Sequence, residues 1–480
     1  EPIRTTLTTT EFECYVTKGL GRAVTLLRDV GEGLCPACQP ADFYAIIFRA
    51  ATTHMGYDAQ CEGDRAFYAR ELLRAVGDPP ELIHAVIAHA DAVTAETYVF
   101  DVSHYAALLG ILYNEGLTEA DTALEGIYSR ALDALLSRKH PFEDRCIDNE
   151  LEFYRFITAC IVKIKDTERL GRIFSDFAAL IDLRGGELFN ALDFELFFDR
   201  LDAHKDGRNA VTTPEAERLW KSYDTLTQKR RERAVECTIS QRQTPDEYFE
   251  YTISGGEIES GYRLKMDALT PEQCETLARF ALDTTDIRRK HKLLLMFTRR
   301  NSSIWPLGPV PLIDLSREYI KYLADDGYLK YFESDKDSVN SALAFTLLCV
   351  LRQLRSEPVR EYALELAREG SVYAADLWVE NFRAGDEDAF TAYVKSFPVI
   401  HNLRENNCWH GVQMSALKLS ENNKNNRLDE LLRYIYETHY CSCCRYSAVH
   451  QLAKKGLLDD VMRAECAFDS YNRTRELALR

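Results

Sequence analysis

The side chains best suited to chemistry gather in a few short stretches. Cys408-x-His410 and, further on, His439-x-Cys441-x-Cys443-Cys444 offer imidazole and thiolate, the donor types that zinc takes. Cys408, His410, His439, Cys441 and Cys443 would close a tetrahedral site only if two loops of neighbouring helical units met, because their spacing is that of neither a zinc ribbon nor a zinc finger. Cys35-x-x-Cys38 with His54 and Cys61 is a second set of the same kind. Cysteines so close together in a helical chain are also ordinary core thiols. The expectation is therefore a protein without a cofactor, zinc being the one metal these residues could take.

The densest polar stretch runs from His54 to Tyr68 between two apolar helices. Tyr57, Asp58, Gln60, Glu62 and Arg65 supply a phenol, two carboxylates, an amide and a guanidinium, which together could line a polar site. The competing reading is a capping network, with Asp58 or Asp64 holding backbone amides while Arg65 pairs with Glu62. A His-Glu-x-x-His pair, a serine elbow and a complete phosphate loop are all missing from the sequence. Gly19-Leu-Gly21 has no strand before it and reads as helix-packing glycines. The start of a calcium loop at Asp202 departs from the pattern at Thr213, where a glutamate belongs.

Helices must position all of these residues. In Leu428–Tyr436 the apolar side chains at 428, 431, 432, 435 and 436 form one stripe, and a second helix carries Ala448, Val449 and Leu452 on its inner face up to Gly456. A one-striped helix is not stable alone, so stacking must bury each stripe. A phrase Arg-x-x-Ala-apolar recurs as Arg360-Glu-Tyr-Ala363-Leu364, Arg445-Tyr-Ser-Ala448-Val449 and Arg475-Glu-Leu-Ala478-Leu479, with a degraded copy from Arg289 in which Lys292 replaces the small residue. Successive copies lie far enough apart for up to two repeats of about 40 residues.

Over roughly 270–480 this phrase resembles the second helix of HEAT-type repeats. The segment Tyr57-Asp-x-Gln-Cys-Glu-Gly63 and the tail Cys441-x-x-Cys444-Arg are similar to segments of uncharacterised bacterial HEAT-like proteins, a likeness that brings no activity with it. The resemblance implies an extended concave surface. HEAT-like DNA glycosylases line theirs with basic residues, and here Arg288, Arg289, Lys292, Arg299 and Arg300 cluster ahead of Trp305. Trp305, Trp378 and Trp409 would then contact bases, and an acid such as Asp376 would be the catalytic carboxylate.

Composition weighs against that second reading. The chain carries 59 basic and 76 acidic residues, a net charge of −17, which disfavours a general coat for nucleic acid. Hydrophobic residues make up 46% while Gly (23) and Pro (14) are scarce, as a packed helical chain of 480 residues requires. No apolar run reaches membrane-spanning length, so no membrane partner is expected. The 14 cysteines are irregularly spaced and read as reduced thiols of a cytoplasmic protein.

The expected fold is all-α: a right-handed α-α superhelix of HEAT-like hairpins with a small β-hairpin insertion. Residues 1–235 form an N-terminal array and 269–480 the HEAT-like domain. Between them, 236–268 form a junction in which Tyr248–Ile253 and Tyr262–Met266 alternate about a Ser254-Gly-Gly256 turn. The expected function is an interaction scaffold taking a protein or peptide on its concave face. The alternative is a nucleic-acid-binding or base-processing protein.

Overall fold

The computed structural model describes residues 7–56, 65–94, 96–137, 154, 157–158, 167–184, 197–198, 201, 207–209, 211–239, 244–255, 269–298, 305–323, 336–397, 407–423 and 426–479. Among them every regular element is a helix and no strand occurs. The chain divides into two compact units. One comprises Glu1–Cys237, Tyr440–Tyr446 and Leu457–Arg480; the other comprises Thr238–His439 and Ser447–Gly456.

The first unit opens with α1 (Thr9–Lys18) and α2 (Arg22–Gly31). Thr8 and Glu11 form a reciprocal capping box at the start of α1. The periodicity of 11–30 alone predicts a single helix. The break comes at Gly19, whose φ of 73° lets its amide turn back to the carbonyls of Tyr15 and Val16. Then follow α3 (Tyr44–Thr52), α4 (Arg65–Ala75), α5 (Pro80–Ala88), α6 (Val99–Asn114), α7 (Thr118–Ser137), α8 (Thr167–Arg184) and α9 (Pro214–Ile239). Their apolar faces share one core, from Phe12 and Val24 through Leu72 and Leu109 to Phe177 and Phe198. Its far end is aromatic, with Phe198 edge-on to Trp220 at 4.7 Å and Phe177 edge-on to Phe197 at 4.9 Å.

The second unit runs through α10 (Pro245–Ile253), α11 (Pro271–Asp283), α12 (Ile287–Met296), α13 (Val310–Tyr319), α14 (Lys336–Leu351), α15 (Glu357–Arg368), α16 (Ala374–Glu380), α17 (Glu387–Ser396), α18 (Asn407–Asn422) and α19 (Asp429–Thr438). It also holds the later part of α20 (Ser442–Lys454). Consecutive helices pack in pairs, α11 on α12, α13 on α14, α15 on α16 and α17 on α18. The pairs then stack, α12 on α14, α13 on α15 and α16 on α18. α21 (Asp460–Cys466) and α22 (Asn472–Ala478) belong to the first unit, where α21 packs on α2.

Two expectations are corrected here. The expected β-hairpin is not seen: its first limb, 248–253, is part of α10, and its second limb, 262–266, lies outside the described residues. The local reason is Thr244-Pro-Asp-Glu247, in which Thr244 and Glu247 cap each other's backbone amides and Pro245 takes the first helical position. Imperfect alternation over six residues is weaker than such a start signal. The sequence reads 401–411 as a polar break carrying Trp409; of these, 407–411 form the start of α18 and 401–406 lie outside the described residues.

Candidate binding face and buried polar core

In the second unit α12 packs on α14 and α16 packs on α18, and ion pairs from the residues just after α14 reach α16, which joins the four helices into one row. On α14 the stripe is Phe345 and the half-buried Cys349, and just past the end of the helix follow Arg352 and Arg355; on α16 it is Asp376 and Glu380; on α18 it is Gly411, Met414 and Lys418. Such spacing of three, four and seven keeps each set on one helix face. Rungs of charge link the helices. Arg352 donates to Asp376 at 2.8 Å, Asp376 also accepts from the Ser415 hydroxyl, and Glu380 takes both Arg355, at 3.5 Å, and Lys418.

Pairs as open as these contribute at most about 1 kcal/mol each, so the row is not explained as a stability device. Its other feature is apolar. Leu295 on α12, Phe345 on α14 and Met414 on α18 stand 39%, 37% and 54% exposed. Burial pushes the Cys349 thiol above its ordinary range, which makes it a poor nucleophile at neutral pH. The face thus presents large apolar side chains among charges of both signs.

The first unit holds one charged pair inside. Arg445 and Asp469 are both fully buried, and the guanidinium lies 3.3 Å from the carboxylate. Arg445 also donates to the carbonyls of Tyr440 at 3.0 Å and Gly19 at 3.3 Å. Burial pushes the Asp469 carboxyl up, while Arg445 and the Tyr471 amide pull it back. Around this pair three carbonyls at the turn between α1 and α2 are held: Arg65 donates to Val16 at 3.0 Å, the Ser470 amide to Gly19 at 2.9 Å and Tyr68 to Leu20 at 2.8 Å. Lys18 lies in the same region, and burial lowers its ammonium below the ordinary lysine range. Sealed from water, this core fixes the chain rather than meeting a substrate.

Of the polar-site candidates, Tyr57, Asp58, Gln60 and Glu62 lie outside the described residues, and Arg65 is the buried tie just described. The C-terminal zinc candidates are divided between the two units, with His410 and His439 in the second and Cys441 and Cys443 in the first. The His410 ring meets that of His439 edge-on at 5.0 Å. The side chain of Cys408 lies outside the described residues. In the N-terminal set the sulfurs of Cys35 and Cys38 are 3.4 Å apart, the His54 amide donates to Asp101 at 2.6 Å, and Cys61 lies outside the described residues.

Part of the basic cluster is spent on backbone. Arg289 donates to the carbonyls of Thr252 at 2.6 Å and Gly255 at 3.0 Å, and neighbouring Lys290 to that of Leu282 at 2.9 Å. Arg288 is exposed and Lys292 half-buried; Arg299 and Arg300 lie outside the described residues. Trp305, Trp378 and Trp409 are all buried. Trp305 packs edge-on against Phe297 at 4.9 Å, and the Trp378 indole donates to Asp386 at 3.2 Å. None of the three offers a platform for a base.

Sequence reasoning missed Phe345 and Met414. For Met414 the signal was present: it falls between Gly411 and Lys418 on the polar stripe of an otherwise apolar helix, where a large apolar side chain has no core to serve. No described helix is long and apolar enough to cross a membrane. In comparisons with family models, with curated proteins and with solved structures, nothing matches the chain.

Proposed function

We propose that the protein is an interaction scaffold that docks a polypeptide partner on the row formed by α12, α14, α16 and α18. The carrying observation is that Leu295, Phe345 and Met414 stand exposed on that row, among the charges of Arg355, Glu380 and Lys418. Partners bury apolar anchors of this kind at the centre of an interface and leave charges at its rim to set register. The stacked helix pairs support the accompanying reading of the second unit as HEAT-like hairpins in a right-handed superhelix, with this row as its concave side.

The test is site-specific photocrosslinking in cells of the source. A benzophenone side chain at Met414 should form a discrete adduct with another polypeptide. The same group at Arg279, exposed on α11 outside the row, should form none. Equal adducts at both positions, or none at Met414, would overturn the proposal.

A further inference from the structure

Cys35-Pro-Ala-Cys38 is a tight turn, closed by the Cys38 amide donating to the Cys35 carbonyl at 3.0 Å. Proline suits the second position of such a turn, and a turn of this kind holds its first and fourth Cα atoms within about 7 Å. That is inside the range a disulfide spans. The side chains follow: the Cys35 thiol lies 3.4 Å from the Cys38 sulfur. The Cys38 sulfur is also tied to Leu7, accepting from its amide at 3.3 Å and donating to its carbonyl at 3.4 Å. Leu7 directly precedes Thr8, the cap of α1. Both cysteines are buried, 5% and 7% exposed.

We propose that Cys35 and Cys38 are a thiol–disulfide couple whose redox state sets how firmly Leu7 is anchored. The oxidant is a small-molecule disulfide such as glutathione disulfide. One cysteine thiolate attacks a sulfur of the oxidant and expels a glutathione thiolate, leaving a mixed disulfide. The second cysteine, having lost its proton to solvent, attacks the protein-bound sulfur and expels the other glutathione thiolate. Two thiols are thereby oxidised and one glutathione disulfide is reduced to two glutathiones. The closed disulfide has no S–H to donate to the Leu7 carbonyl, and its sulfur is a weaker acceptor for the Leu7 amide. No metal takes part, and the pair needs only a small approach of two sulfurs already in contact.

The full chain can be equilibrated in glutathione buffers of rising disulfide fraction, quenched with acid and digested with trypsin. The peptide from Asp29 to Arg49 contains Cys35 and Cys38 and no other cysteine. It should lose two hydrogens in one transition and regain them with dithiothreitol. In parallel, hydrogen exchange of the Leu7 amide should rise by roughly fivefold on oxidation, the effect of one lost hydrogen bond. In Cys35→Ser, which keeps the Cys38 thiol and its bonds to Leu7, neither change should occur. A peptide that stays a dithiol, or that pairs with another cysteine, would overturn the couple. Oxidation with Leu7 exchange unchanged would overturn its link to Leu7. If the serine variant misfolds, Cys35→Ala serves in its place.

Discussion

Arg445 and Asp469, 24 residues apart, face each other at 3.3 Å with neither side chain open to solvent. Arg360 and Asp386, 26 residues apart in the other unit, form the same kind of pair at 2.6 Å. Each arginine sits at the fourth position of its helix, and each aspartate in the turn that follows the next helix. Arg475 also occupies a fourth helical position and, like Arg445, reaches the carbonyl five residues back: Ser470 for Arg475, Tyr440 for Arg445, both at 3.0 Å. The recurring arginine phrase is therefore a clamp on the chain that precedes or follows its helix.

Removing the buried clamp should cost far more than removing the partly open one. Arg445→Met leaves the Asp469 carboxylate buried among carbonyls, a loss of about 3–5 kcal/mol. Arg360→Met, at a pair water can reach, should cost about 1 kcal/mol. Urea denaturation of both variants checks the ranking. Equal losses would mean that burial does not set the energy of these pairs.

Gly21 should tolerate no side chain. A Cβ there would overlap the backbone of Glu465 and Phe468 at the end of α21, and backbone atoms cannot step aside as a side-chain tip can. Gly21→Ala should destabilise by about 1–3 kcal/mol or more. Gly31→Ala, near the other end of α2 with no heavy atom of another residue closer than 3.8 Å, should be close to neutral. Thermal melts of the two variants would separate this close approach from a general intolerance of α2.

His104 should make the first unit acid-sensitive. Its ring is buried, Nε2 donates to the Ala50 carbonyl at 2.8 Å, and Nδ1 has no partner among the described residues. Burial pushes the imidazole down to about 3, with the nearby His54 adding to the effect. The folded state keeps the ring neutral while the unfolded chain protonates it below about pH 6.5, so stability is full above that value and falls as pH drops toward 3. Between pH 7 and pH 5 the difference in stability between wild type and His104→Gln should shift by about 2 kcal/mol against wild type. A shift of zero in paired denaturation curves would show that the ring is protonated in the fold.

Nucleic-acid binding should be absent or weak. With Arg289 and Lys290 occupied by carbonyls, Arg288 and Lys292 are what the described part of the basic cluster can turn outward. Fluorescence anisotropy against duplex and single-stranded DNA should be flat at about 50 and about 200 mM salt. A steep salt dependence that Arg288→Glu and Lys292→Glu reduce would instead favour the phosphate-binding reading.

Residue patterns alone determined that this chain is helical and where many helices run. A 3.6-residue stripe, a capping threonine or a left-handed glycine acts within a few residues, so 118–137, 167–183 and 214–235 are legible as helices without any tertiary knowledge. The Thr244 cap was equally local and was outweighed by a chance alternation. Pairings across long stretches of chain were not legible. That α21 and α22 join the first unit, and that Arg445 ends up sealed against the turn at Gly19, depends on which surfaces exclude water together. Nothing near 445 in the sequence distinguishes its arginine from the more open one at 360. The exposed row of Leu295, Phe345 and Met414 is of the same kind. A helix stripe records which residues are apolar, but only packing decides which apolar residues have a neighbour to cover them.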